Sequence, residues 1–364
     1  MIKSVRRGSL MNAFTIATIV SILSAPLGAQ WLNQRTPGIP RAADGKPNLT
    51  APAPRTSDGK PDLSGLWQRI ESPYAENIAA DLKPGDVQPW AQDLVKERVE
   101  DLSKQHMSVQ CLPLGPNYTN SARMTKIVQT PNLIVMLDEG LAYRQIFTDG
   151  RPLETDSNPS WMGYSVGHWD GDALVVESFG YNDRTWLDHG GHPHTQALRM
   201  TERYRRPDFG HLQIEMTLND PAIYARPWTV KLNASLAADT ELLEDVCNED
   251  NGSRRQHYVG RASDEKKTEA QVAPEILAKY AGTYSEQDIW GQGPHPRIIE
   301  ITVADGKLFA ELKGREKIQL VAQSDTHFSG FFNWQIDFVT DSQGAPTHLN
   351  EVHVSGNYRY RRQK

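Results

Sequence analysis

The chain has 364 residues, 38% hydrophobic and 23% charged, which is enough apolar mass for two packed domains and excludes global disorder. Its formal net charge of -6 argues against a nucleic-acid partner, which would need a basic face.

The first element is a targeting segment. MIKSVRRGSL carries Lys3, Arg6 and Arg7, an apolar run follows from Met11 to Ala25, and PLGAQ offers a small-residue cleavage site after Ala29. This is the layout of a secretory signal peptide over residues 1–29, because the run is short of the roughly 20 residues of a span. The expected mature protein is periplasmic or secreted and has no membrane span. Export places Cys111 and Cys247 in an oxidising compartment, where two cysteines most simply form one disulfide; two buried free thiols are the alternative.

Residues 30–64 read as an extended Pro/Gly-rich arm with a degenerate repeat, DGKPNLT at 44–50 and DGKPDLS at 58–64. Helical patterns follow at 74–82 (YAENIAADL) and 90–106 (WAQDLVKERVEDLSKQH). From Thr125 the hydrophobic period changes to two. NLIVMLDE, LAYRQIFTDG, GYSVGHW, DALVVESF, ALRMTERYRR, HLQIEMTLND, WTVKLNASL and TELLEDVCNE make eight or nine antiparallel strands with mostly short links. The expected first domain, 65–252, is an all-β, antiparallel, lipocalin-like barrel carrying the arm and two helices. A polar linker at 253–271 leads to a second, smaller antiparallel barrel at 272–364, opened by a short helix between Pro274 and Gly282. This second set resembles the small lipocalin-like barrel appended to exported serine hydrolases of the penicillin-binding type, through LAKYAGTY, a hairpin and a closing strand. No S-x-x-K in a supporting setting precedes it.

One link is long. GYNDRTWLDHGGHPHTQ (180–196) holds Tyr181, Trp186 and three histidines, so it reads as an ordered loop folded over a barrel end. His189, His192 and His194, with Asp188 or Asp183, compose a candidate site for a divalent metal such as zinc, although the spacing matches no stereotyped signature. The other chemistry is acid–base catalysis. On the ALRMTERYRR strand Glu202 falls on the more apolar face with Met200 and Tyr204, and Arg144 sits similarly with Ala142 and Ile146. Buried charges are normally paired, so an Arg144–Glu202 ion pair inside the barrel is expected, either purely structural or lining a cavity whose mouth holds His194. GYSVG matches G-x-S-x-G around Ser165, but a turn and a strand follow instead of a helix, so no hydrolase elbow is expected. Six tryptophans in the first domain, among them Trp161, Trp169 and Trp186, suit a flat apolar or aromatic ligand. No nucleotide fingerprint is present and no cofactor is expected outside the metal alternative.

As a set, DGKPDLSGLW, CLPLG, FTDGRP, SVGHWDGDALVVES, the W-L-D-x-G-x-P-H spacing, TERYRR and CNE resemble a large family of uncharacterised exported bacterial proteins over about residues 55–255. The resemblance implies that Cys111 and Cys247 belong to one framework. It also implies that Asp149, Arg151, Trp169, Asp172, Asp188, His194, Glu202 and Arg203 belong to the pattern; Ala173 departs from it, where threonine is expected. Of the three loop histidines only His194 is carried over, which favours one imidazole over a metal trio. The resulting expectation is an enzyme acting by proton transfer on a small apolar or aromatic molecule: a lyase, isomerase or hydrolase. His194 is the acid–base group, Glu202 or Asp188 its orienting partner, and Arg144 the holder of a substrate oxygen or anion. Trp186, Trp169, Trp161, Tyr181, Ser165 and Arg203 are the expected substrate contacts. The rival expectation is a non-catalytic carrier of a lipophilic small molecule.

Overall fold

A computed structural model describes residues 35–247 and 270–363, apart from 71, 73, 75–76, 102, 120–122, 157, 287–296, 313–316, 331–333 and 354–355. The expected signal peptide, and the expected linker up to residue 269, lie outside the described residues. Two closed β-barrels account for most of the remainder. No helix among the described residues is long and apolar enough to cross a membrane.

The first barrel runs β1 (Gly65–Arg69), β2 (Met124–Gln129), β3 (Leu133–Asp138), β4 (Tyr143–Phe147), β5 (Tyr164–Asp170), β6 (Ala173–Phe179), β7 (Arg199–Arg205), β8 (His211–Asn219) and β9 (Trp228–Leu236). It closes where β1 meets β9, with Trp67 opposite Leu236. Strands β7 and β8 alternate most cleanly. On β7 and β8 Met200, Glu202, Tyr204, Leu212, Ile214, Met216 and Leu218 are buried, while Arg199, Thr201, Gln213 and Glu215 are exposed. Nine strands cannot all be antiparallel in a closed ring, because directions that alternate around an odd number must clash once. The clash is taken by β4 and β5, which pair in parallel with Ile146 opposite Ser165 and Phe147 opposite Val166. The parallel pair requires a crossover, supplied by residues 148–163. The expectation of a wholly antiparallel meander with one long link is corrected accordingly.

Both ends of this barrel are covered. At one end the β1–β2 connection (70–123) and the β6–β7 connection (180–198) fold together. The first contains α1 (Pro89–Glu100). The opposite end is closed by the arm. Its two repeats form matching turns, bridged at Arg41–Pro47 and Arg55–Pro61, and each arginine bonds its own turn carbonyl and a barrel carboxylate: Arg41 reaches Gly45 and Asp239, Arg55 reaches Gly59 and Asp172. Phe209 and Gly210 bond the backbone of Ala51 and Leu49, and Arg206 bonds the carbonyls of Asp62 and Ser64 while lying over Trp67.

Three local expectations fail for physical reasons. The expected α-helix over 74–82 is not formed among the described positions: Tyr74 is in a 3-10 turn and residues 78–82 are turn and bend. The Ile78 N–H is held by the Asp188 carboxylate and its carbonyl by the Trp228 indole, so tertiary partners occupy groups a helix would need. Helix α1 stops at Glu100 instead of 106, because Ser103 adopts a left-handed conformation (φ 51°) and its N–H returns to the Arg98 carbonyl. TELLEDVCNE is not the closing strand: up to Cys247 it is an irregular strap, with Leu242 packed on Leu66, Met124 and Ala237 and the Asp245 N–H on the Glu139 carbonyl. The barrel is closed instead by β1. The strap ends at the Cys111–Cys247 disulfide, which ties it to the cap.

The second barrel has eight strands: β10 (Gly282–Glu286), β11 (Ile298–Ala304), β12 (Lys307–Leu312), β13 (Ile318–Ala322), β14 (His327–Ser329), β15 (Gln335–Thr340), β16 (Pro346–His353) and β17 (Gly356–Arg362). All neighbours are antiparallel, as an even ring permits, and β10 closes on β17. The Asp305–Gly306 turn has positive φ at both residues (49° and 72°), the geometry a two-residue hairpin prefers. Helix α2 (Pro274–Tyr280) stacks Tyr280 on Phe338 at 4.0 Å.

Candidate acid–base site

The long loop between β6 and β7 is packed, not draped. Tyr181, Thr185, Trp186, Leu187, Asp188, Pro193 and His194 are all buried. Its far end is held by Asp220, whose carboxylate accepts from the Thr195 N–H at 2.5 Å and the Thr195 hydroxyl at 3.0 Å. Tyr224 donates to the Pro193 carbonyl. The Trp186–Pro193 bridge and the Leu187 N–H to His192 carbonyl bond close a tight turn with Gly190–Gly191 at its apex. That turn sets Asp188 and His192 opposite each other.

Asp188 is fully buried and accepts three hydrogen bonds: from the Ile78 N–H at 2.7 Å, the His192 N–H at 3.0 Å, and His192 Nδ1 at 2.6 Å. A carboxylate can only accept here, so His192 Nδ1 carries the proton and Nε2 presents its lone pair in the neutral ring. Among the described residues Nε2 has no hydrogen-bond partner, and the His192 side chain keeps 14% exposure. Burial alone would lower the His192 pKa; the Asp188 carboxylate outweighs it and raises the value above 6.5. A buried carboxylate that fixes one imidazole nitrogen and leaves the other open is the arrangement by which an aspartate orients a histidine base.

His194, the imidazole favoured by the sequence, is differently placed. Nδ1 donates to the Thr195 carbonyl at 3.0 Å and Nε2 accepts from the Thr185 hydroxyl at 2.7 Å. Both nitrogens are spent, and burial lowers its pKa below 6.5. Neither Glu202 nor Asp188 orients it, which corrects that pairing. His189 stacks on His106 at 4.6 Å, and His106 meets Trp186 edge-on at 5.2 Å. The three histidines therefore engage three separate partner sets, and among the described residues no three His, Cys, Asp or Glu side chains converge as metal ligands.

Arg144 and Glu202 do meet, inside the barrel. The guanidinium pairs with both carboxylate oxygens, and its remaining N–H groups reach Ser165 at 3.2 Å, Ser178 at 2.8 Å and Thr119 at 3.4 Å. Glu202 also accepts from the Thr119 hydroxyl at 2.6 Å and the Tyr204 hydroxyl at 2.8 Å. All five guanidinium donors are used. Burial opposes both charges, yet each partner's charge prevails, holding Arg144 above and Glu202 below its usual value. This centre is a fixed ion pair with no proton to give and no donor facing outward.

The other expected contacts scatter. Ser165 lies within β5, bonded to Arg144 and to Ser178 at 2.8 Å, so it is no nucleophile elbow. Tyr181 is buried edge-on to His194 at 6.3 Å. Trp169 packs on the core from β5, and Trp161 lies in the crossover under Arg184. Arg203 is on the outer face of β7, paired with Asp170 at 2.7 Å, and is not in the site. Only Trp186 adjoins the dyad. Sequence reasoning missed Arg98, which covers the Trp186 ring at 4.3 Å and donates to the Gly191 carbonyl at 2.6 Å, and Met107, whose sulfur accepts the Trp186 N–H at 3.3 Å. Arg98 belongs to a mostly exposed helix in which only Ala91 is fully buried.

No protein-family model matches the chain, and no curated protein matches it.

Proposed function

We propose that the first barrel is the enzymatic domain of an exported, periplasmic protein that performs proton-transfer chemistry on a small apolar or aromatic molecule, with His192 as general acid–base and Asp188 as its orienting carboxylate. One observation carries this reading: His192 alone of the three loop histidines combines a buried carboxylate on Nδ1 with an unengaged Nε2. Neutral Nε2 takes a proton from the substrate or from water; the imidazolium is stabilised by Asp188 and returns that proton to a product atom or leaving group. Isomerase, lyase and hydrolase steps all fit this sequence.

The test is proton exchange. Incubating the full chain in deuterium oxide with a panel of small carbonyl and hydroxy compounds, followed by proton NMR, reports any substrate that is deprotonated. His192→Gln is expected to slow exchange by roughly 100-fold or more. Asp188→Asn should slow it less and move the pH inflection, expected above 6.5 in the wild type, downward. His194→Gln should leave the rate within a few-fold. An unchanged rate in His192→Gln would overturn the assignment. A binding module without turnover is the second reading, favoured by the saturated Arg144–Glu202 centre; there ligand binds and no member of the panel exchanges.

A further inference from the structure

Arg98 is a half-buried arginine whose donors are mostly unspent. Among the described residues it makes one hydrogen bond, to the Gly191 carbonyl, and no carboxylate lies within ion-pair distance. Three other enclosed arginines spend more of their donors: Arg41 forks onto Asp239, Arg206 holds three backbone carbonyls, and Arg144 uses every donor, whereas Arg69 on β1 donates to the Thr119 carbonyl. None of the open Arg98 nitrogens is fully buried, so they face outward and are available to an incoming acceptor. Burial lowers the Arg98 pKa to about 10, which leaves it charged at neutral pH.

Its surroundings fix its direction. The guanidinium lies over the Trp186 ring, and Arg98 Cβ and Cδ stand 3.0 Å from where a Cβ on Gly191 would be. Gly191 has φ 91°, so a side chain at that position would be both strained and in collision with Arg98. The glycine next to His192 thus lets the arginine sit directly beside the dyad, and the Arg98 charge acts on both His192 and Asp188. Asp188 already accepts three hydrogen bonds, so it does not consume the arginine's donors.

We propose that Arg98 anchors a substrate carboxylate beside the Asp188–His192 dyad, making the substrate class a small, flat carboxylic acid. The guanidinium fork matches a carboxylate in two parallel hydrogen bonds. A carboxylate seated there brings its neighbouring atoms to His192 Nε2, and the cation stabilises negative charge that develops when the base removes a proton. The proposal rests on the acid–base reading of the dyad, and Arg98 adds the substrate's charge and shape to it.

The test is calorimetric titration of the full chain with benzoate, with benzyl alcohol as the neutral counterpart and inorganic phosphate as the competing oxyanion. Benzoate is expected to bind the wild type at least tenfold more tightly than benzyl alcohol. Arg98→Met, which keeps an apolar stem on Trp186, should abolish that preference, and Arg98→Lys, which keeps the charge and loses the fork, should retain part of it. Benzoate that does not bind, that binds Arg98→Met as well as the wild type, or that binds more weakly than phosphate overturns the proposal. The two claims fail separately. Arg98-dependent benzoate binding with turnover intact in His192→Gln sinks the dyad alone, whereas loss of turnover in His192→Gln with Arg98-independent benzoate binding sinks the carboxylate site alone.

Discussion

Each barrel buries a glutamate under a tyrosine hydroxyl and beside an arginine, yet the two centres differ in how far they are closed. Glu202 takes Tyr204, Thr119 and a two-pronged Arg144, with side-chain exposures of 0% for Glu202 and 3% for Arg144. Glu351 takes Tyr360, the Trp334 indole at 2.6 Å and a looser Arg297 at 3.4 Å, whose side chain is 20% exposed. The first pair is cut off from water, whereas in the second part of the arginine side chain reaches the surface. The covers differ in the same sense. The nine-stranded barrel carries an arm, a cap and a disulfide-tied strap, whereas among the described residues the eight-stranded barrel has a single short helix. The proposed Asp188–His192 dyad lies under the thicker cover, which keeps the Asp188 carboxylate out of water.

Removing the disulfide should break this contrast most strongly. Cys111 and Cys247 lie 136 residues apart in sequence, and the chain-entropy model gives such a closure roughly 4–5 kcal/mol. The double Cys111→Ser, Cys247→Ser chain should lose about that much in urea unfolding of the first barrel, with the second barrel's transition unmoved. Glu202→Gln comes next. It strands a buried guanidinium, at a cost of about 3–5 kcal/mol. Glu351→Gln should cost less, on the order of 1–3 kcal/mol, because Arg297 can turn to water and an amide still accepts from Trp334. Equal losses at the two glutamates would show that closure does not govern the difference.

What the sequence disclosed follows the same physics. Strands β7, β8 and β9 alternate cleanly because one face meets the core and the other meets water, so period-two patterning alone puts Glu202 on the inward face. The long loop stood out because it interrupts that alternation. Strand β1 was hidden, since five residues after a proline-rich arm show little periodicity, and it is the strand that closes the ring. The strap from Thr240 to Cys247 misled in the opposite way, with apolar residues that pack on an outer face instead of joining the sheet. Within WLDHGGHPHT the histidines are equivalent as letters. They separate only when partners are known: His194 between Thr185 and Thr195, His189 on His106, His192 on Asp188. The family resemblance favoured His194, whose saturated ring suits a structural role in the cap. Arg98 gave no signal at all, because its role is set by a glycine 93 positions away.

The smallest effect separates the two loop histidines by pH. His192 has a folded-state pKa raised above 6.5, so its contribution to stability is complete below 6.5 and is lost as pH rises through the raised value. His194 has a folded-state pKa depressed by burial, so its contribution is present above 6.5 and is lost as pH falls through the lower value. Each is limited to the slope of one proton, about 1.4 kcal/mol per pH unit. Glu139, which burial and the neighbouring Asp138 push up to about 7, titrates in the same range, so the informative quantity is the difference between wild-type and variant curves. Urea midpoints of the first barrel measured across about pH 5–8, the range in which histidines titrate, should separate the pair. His194→Gln is expected to flatten the acid side of the curve and His192→Gln the alkaline side. If both substitutions flatten the same side, the two imidazoles share one environment, and the distinction that assigns catalysis to His192 is lost.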